Sequence, residues 1–208
     1  MSTIQSSTEH LTLNADGASK DIKFQANGVE VSSISSAGVM TATSFAGDGS
    51  ALTGVDGGKV LQVVDVHNGS VSTFTASIPF DDTIPQITEG TEIMTLSITP
   101  TSTTSKLFIQ AGVFATPSAN NMIITTCLFE GTTSNALSAI YWRDSLAGFG
   151  DIAQLNHTMV SGSTSIKTFR IRMGIDSGSS TTTVNGHGGG RRYGGVISSF
   201  IRITEYEV

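Results

Sequence analysis

Apolar and polar residues alternate along the first part of this chain in very short runs, each cut by a turn signal. Leu11 and Leu13 lead into Asn14-Ala15-Asp16-Gly17, and Ile22 and Phe24 into Ala26-Asn27-Gly28. Val29 and Val31 run toward Ser36-Ala37-Gly38, and Val39 and Phe45 toward Ala46-Gly47-Asp48-Gly49. A period of two predicts strands, and the Asn-Gly, Asp-Gly and Ala-Gly pairs predict reversals. Each run holds only two or three apolar residues. One chain cannot offset the entropy of ordering such pieces with so little burial. Copies wrapped around each other would supply the missing core. The pattern therefore predicts a homo-oligomeric β-stalk, and with it a structural or adhesive protein rather than an enzyme.

Residues 2–10 are polar and Ser/Thr-rich, which reads as a tail ordered against a partner. Beyond the Gly-rich boundary Thr53-Gly54-Val55-Asp56-Gly57-Gly58 the runs lengthen. Val60 to Val66 is nearly continuous and predicts a strand covered on both faces. Glu92 to Ile98 places Met94, Leu96 and Ile98 on one face. Lys106 to Phe114 does the same for Leu107, Ile109, Ala111 and Val113. Met122 to Phe129 is mostly apolar, and Lys167 to Ile175 points Phe169, Ile171, Met173 and Ile175 inward with Arg170 and Arg172 outward. Val196 to Val208 reads as a last strand, pinned in a sheet and expected near an oligomer axis. Turn residues separate these runs, the pattern of an antiparallel β-sandwich of jelly-roll type. The expected organisation is a stalk over 1–56 and a sandwich head over 57–208, all-β throughout.

Composition sharpens this picture. Only 13% of the 208 residues are charged, and 23 are glycine. A chain so poor in charge hides surface in subunit contacts or forms an uncharged β-structure. The net charge of −6 is uneven: residues 1–105 carry 3 basic and 11 acidic side chains, residues 106–208 carry 8 and 6. An acidic half excludes a phosphate-binding surface there, so nucleic acid is not an expected partner. Cys127 is the single cysteine and reads as a small buried hydrophobe. No apolar leader or membrane-length run is present, so any role outside a cell is expected to use another route.

Three stretches carry a family resemblance. They are Leu11 to Gly17 continuing through Asp21-Ile22-Lys23-Phe24-Gln25-Ala26-Asn27-Gly28, then Thr43 to Val55 with Phe45-Ala46-Gly47-Asp48-Gly49, and Ser97-Ile98-Thr99-Pro100 running to Leu107. The first two resemble the N-terminal parts of tail-fibre proteins of marine and cyanobacterial phages. The third resembles the globular heads of similar fibres. The resemblance implies a homotrimer in the virion tail, assembled in the host cytoplasm. Its N-terminus would hold a virion tail or baseplate protein. Its C-terminal head would bind a host surface glycan or outer-membrane component. No binding residue is inherited from the resemblance. A capsid-decorating fibre and a glycan-depolymerising spike are the alternatives.

Candidate chemistry is sparse. His10, His67, His157 and His187 are far apart and match no metal-ligand spacing, and no calcium loop is present, so no metal or cofactor is expected. Asp81-Asp82 sits between Pro79 and Pro85 and reads as turn chemistry. His187-Gly188-Gly189-Gly190 looks like an esterase oxyanion loop but lacks a G-x-S-x-G partner, so no catalytic residue is assigned. Two places are receptor-binding candidates. Tyr141, Trp142, Arg143 and Asp144 combine aromatic faces with directional hydrogen-bonding groups. The alternative is a strand end with Trp142 in the core. His187, Arg191, Arg192 and Tyr193 lie in a loop with six glycines, where adjacent arginines suit a carboxylate or sulfate. The alternative is a long hairpin whose arginines pair with acids of a neighbouring subunit.

Overall fold

The computed structural model describes residues 13, 15, 19–44, 59–176 and 180–207. The chain divides into two compact units, Met1–Val55 and Asp56–Val208. The expected polar tail, the Asn14–Gly17 turn, the Ala46–Gly49 turn and the Gly-rich boundary lie outside the described residues.

In the first unit β1 (Ile22–Ala26), β2 (Val29–Ile34) and β3 (Met40–Ala42) form an antiparallel sheet in that order. Asn27 and Gly28 join β1 to β2 with φ of 52° and 79°. Two consecutive positive φ values are what a two-residue hairpin turn requires, and Asn-Gly adopts them at least cost. Ser35 and Gly38 close the second reversal, Gly38 N–H donating to Ser35 O at 2.9 Å. The strands thus pair with their own neighbours within one chain. What they leave without partners is side chains: Val29, Val39 and Met40 are 66%, 60% and 53% exposed, and no described residue of this unit is buried.

The second unit contains β4 (Val60–Asn68), β5 (Ser72–Phe74), β6 (Thr91–Ile98), β7 (Lys106–Pro117), β8 (Met122–Glu130), β9 (Ser138–Asp144), β10 (Asp151–Val160), β11 (Lys167–Ile175), β12 (Thr182–Val184), β13 (Gly186–His187), β14 (Gly190–Arg191) and β15 (Ser199–Tyr206). No α-helix occurs among the described residues. One sheet runs β6-β11-β8-β9. The other runs β4-β15-β7, with β10 on the far edge of β7. The near edge of β7 is shared, β15 pairing along Lys106–Gly112 and β12 along Ala115–Pro117, with β5 beyond β12. All these strand pairs are antiparallel.

Both sheets contribute to one buried apolar layer. Met94, Ile98, Ile124, Leu128, Phe169, Ile171, Met173 and Ile175 come from the four-stranded sheet, and Leu107, Ile109, Val113, Leu155, Ile201 and Ile203 from the other. Burying each large aliphatic or aromatic side chain contributes about 1.5–3 kcal/mol, so this layer is the main stabilising feature. The faces read from alternation in β6, β7 and β11 are the faces observed. One expectation is corrected. The Val60–Val66 run is an edge strand covered on one side only: Val64 and Val66 pack on the core, whereas Val63 is 49% exposed.

The outer face of the four-stranded sheet is covered by a strap, residues 75–90. Ile78 is wholly buried there and seals Cys127 and Phe129. Gly174 leaves the space: a β-carbon there would meet Ile78 Cγ1 at 2.5 Å. The outward Arg172 ties the strap down through Glu89 O and Gly90 O, both at 2.8 Å.

Candidate recognition surface

β7 ends, β8 begins, β9 ends and β10 begins at the same end of the second unit. The β9–β10 loop at residues 145–150 passes there from one sheet to the other. Its backbone is fixed by Asn120 Oδ1, which accepts from Ala147 N–H at 2.6 Å, and by Pro117 O, which accepts from Gly148 N–H at 2.8 Å. Leu146 and Phe149 remain 55% and 64% exposed on it.

The glycine-rich segment reaches the same end. β13 and β14 form a hairpin whose turn residues Gly188 and Gly189 have φ of 59° and 76°. Thr116 Oγ1 donates to Gly186 O, and Gly189 N–H donates to Thr183 Oγ1, both at 2.9 Å. His187 Nδ1 lies 3.1 Å from Gly148 O, joining the hairpin to the β9–β10 loop. Gly148 has φ of 81°, and a β-carbon on it would meet His187 Cε1 at 2.6 Å. The contact therefore needs glycine on both steric and backbone grounds. Asn185, itself buried with φ of 56°, anchors the base. Its amide donates to Asn68 O and Ser70 O and accepts from Ser199 Oγ, at 2.7, 3.1 and 2.7 Å.

Beyond the hairpin the backbone turns at Tyr193, Gly194 and Gly195, all at positive φ. Tyr193 and Val196 are each 81% exposed. Arg191 and Arg192 are exposed and form no ion pair among the described residues. The structure thus gathers His187, Arg191, Arg192 and Tyr193 in one hairpin and its following turn.

Alternation along β9 divides the other candidate set. Tyr141 faces outward and meets Phe80 edge-on, with ring centroids 4.8 Å apart and planes at 63°. Arg143 is also exposed. Trp142 faces the other way and packs on the core cluster. Asp144 shares that side and is half-buried. A strand presents i and i+2 to one face, so a contiguous four-residue contact set cannot form here. Trp142 Nε1 and Asp144 Oδ2 are buried without a well-formed hydrogen bond. Burial raises the Asp144 carboxyl, the nearby Trp142 indole N–H opposes the rise, and the Asp151 charge adds to it.

No protein-family model matches the chain, and no curated protein matches it in sequence. Among solved structures it is similar to Eiger TNF from S. frugiperda, at 9% identity and a TM-score of 0.40, covering 69% of this chain and 92% of that one. It is similar to the VP2 subviral particle of infectious bursal disease virus, at 13% identity and a TM-score of 0.34, covering 88% of this chain and 50% of that one. The enzymatically active domain of tailspike protein 4 from bacteriophage CBA120 is similar at 12% identity and a TM-score of 0.27, covering 61% of this chain and 19% of that one. The last two are proteins of viruses.

The exposed Leu146 and Phe149 join this surface without having been singled out in the sequence, and Val196, expected to open the last strand, lies instead in the turn before β15. Isolated apolar residues in turns carry no periodic signal, and only the meeting of loops shows them as neighbours of the candidate residues.

Proposed function

We propose that this chain is a structural and adhesive virion protein, a homotrimeric tail fibre without catalytic activity. The first unit acts as the β-stalk, its N-terminal residues holding a tail or baseplate protein. The second acts as a jelly-roll β-sandwich head that binds a host surface glycan or outer-membrane component. The order β4-β15-β7-β10 over β6-β11-β8-β9 supports the head assignment, since eight antiparallel strands in two such sheets make a jelly roll. One observation carries the adhesive reading. Two loops locked together through His187 and Gly148 present the exposed Phe149, Tyr193, Arg191 and Arg192 at one end of the head, the two arginines without an ion pair among the described residues. Aromatic faces stack on sugar rings, and guanidinium groups grip carboxylates or sulfates in two-point fashion. Loops at one end of a rigid β scaffold are where recognition is commonly built. Three heads per fibre would raise a weak single-site affinity by about 10²–10⁴ through effective concentration.

The test is retention of the labelled full-length chain on marine and cyanobacterial cells, with soluble surface polysaccharide as competitor. Binding lost in an Arg191→Ala, Arg192→Ala, Tyr193→Ala variant supports the reading; binding unchanged by these substitutions refutes this site. A second reading is glycan cleavage, which would need two facing carboxylates. Release of reducing ends from the polysaccharide would favour it. Antibody labelling of isolated tails and capsids separates a tail fibre from a capsid-decorating one.

A further inference from the structure

The two sheets of the second unit differ in what covers their outer faces. The strap covers the four-stranded sheet, with Ile78 buried over Cys127 and Phe129. Among the described residues of the second unit, none covers the outer face of the β4-β15-β7-β10 sheet: Val63, Ile152 and Val160 are 49%, 54% and 53% exposed. Strand register places the residues of this face in rows. The middle row reads Asp65, Arg202, Gln110, Asn156. The row on one side holds Val63 and Phe108, and the row on the other holds His67 and Phe200. Phe200 stacks on His67 with centroids 5.7 Å apart, and its ring lies over Gly112, where a β-carbon would meet it at 2.6 Å. The face is therefore aromatic and aliphatic around a polar centre with one acid and one base, and Lys106 stands at its rim in the row of Tyr206 and Val160.

That charge pattern selects the occupant. A nucleic acid or an acidic glycan would need clustered positive charge, whereas Arg202 and Lys106 stand two rows apart here and Asp65 lies opposite Arg202. A second copy of the same face fits. Arg202 is exposed and forms no ion pair among the described residues, while Asp65 reaches only His67 Nε2 at 3.5 Å. Around a three-fold axis lined by this face, the Asp65 of one copy comes toward the Arg202 of the next, and the apolar flanks exclude water around them. The first unit asks for the same occupant, since none of its described residues is buried. We infer that copies of this chain assemble through the outer face of the β4-β15-β7-β10 sheet. This rests on reading the chain as an oligomeric fibre and names the surface the head uses for it.

The test uses the chain carrying Asn156→Cys or Thr204→Cys on this face, with Thr132→Cys in the exposed turn after β8 as reference. Native Cys127 gives little background, being buried with its thiol pushed up to about 12. Light scattering gives the mass, and a water-soluble maleimide gives the labelling rate. A mass of several 21.6 kDa chains with the face variants labelling about tenfold or more slowly than the Thr132→Cys reference is the expected result. A multimeric mass with face cysteines as reactive as the reference overturns the face and leaves the fibre reading standing. A mass of one chain overturns both.

Discussion

Glu205 shows how single residues set the conditions under which the head holds together. It is wholly buried at the end of the sheet opposite the recognition loops. Gln62 Nε2 donates to it at 2.6 Å, Thr101 N–H at 2.9 Å and Thr101 Oγ1 at 3.0 Å, and Ser105 and Ser102 also donate. Burial alone would raise its carboxyl, but the hydrogen bonds from Ser105, Gln62 and Thr101 outweigh it and hold the carboxyl below the ordinary range. A folded-state value below the unfolded one means the stabilisation is present above the unfolded value. It is lost as pH falls through the folded one. Urea unfolding should therefore give constant stability above about pH 5 and a decline below about pH 4.5. Glu205→Gln should cost about 2 kcal/mol at pH 7, because charge-assisted bonds become neutral ones, and should flatten the acid decline. An unchanged acid limb would show that other carboxylates dominate it. At the recognition end, Gly148→Val should remove binding to host cells while leaving the far-UV spectrum and urea midpoint of the core nearly unchanged. The substitution forces the β9–β10 loop off His187 without touching the buried layer. None of Glu205's role was legible in the sequence, because its partners lie about 100 residues away in the chain.

Elements were legible where one face is purely apolar. Leu107, Ile109, Ala111 and Val113 share a parity, so β7 announces itself, and Phe169 to Ile175 does the same for β11. β10 has no such signature. Ala153, Leu155 and Met159 face the core, but Ile152 and Val160 fall on the opposite parity. The two sets cancel the period-two pattern. The outward apolar residues belong to the open sheet face, so the surface that blurred the strand is the one inferred to meet another copy. β4 misled for a related reason, since Val63 adds an apolar residue to its outer face. The strap was invisible because its function depends on one residue, Ile78, seated against Gly174 and Gly90. Ile78→Ala should cost about 2–5 kcal/mol by opening a cavity. It should also make Cys127 reactive toward maleimide under native conditions, a change that general weakening of the remote Glu205 end would not produce at low denaturant.

For the whole chain, the contrast between its units decides what the sequence pattern meant. Both are antiparallel β-structure, and in the first the Asn27-Gly28 and Ser36-Ala37-Gly38 turns fall where the sequence places them. Among the described residues, only the second has a core. The first hydrogen-bonds its strands within one chain, yet leaves Phe24, Val29, Val31, Val39 and Met40 exposed. A small isolated sheet of this kind is marginal in water unless its apolar face is covered. If copies of the chain supply that cover, the folded fraction of the first unit obeys mass action. Each tenfold rise in protein concentration then adds about 1.4 kcal/mol per association step. Hydrogen exchange measured at several concentrations reads this directly. Amide protection over residues 22–42 should grow with concentration. Protection in β7, β8 and β11, which rests on the shared apolar layer of one chain, should hardly change. Equal protection of the first unit at all concentrations would mean that it is stable alone, and the need for copies would fall. Phe24→Asp or Val31→Asp should abolish the concentration dependence and the protection together, because the charged side chain would stand in the face that another copy must cover.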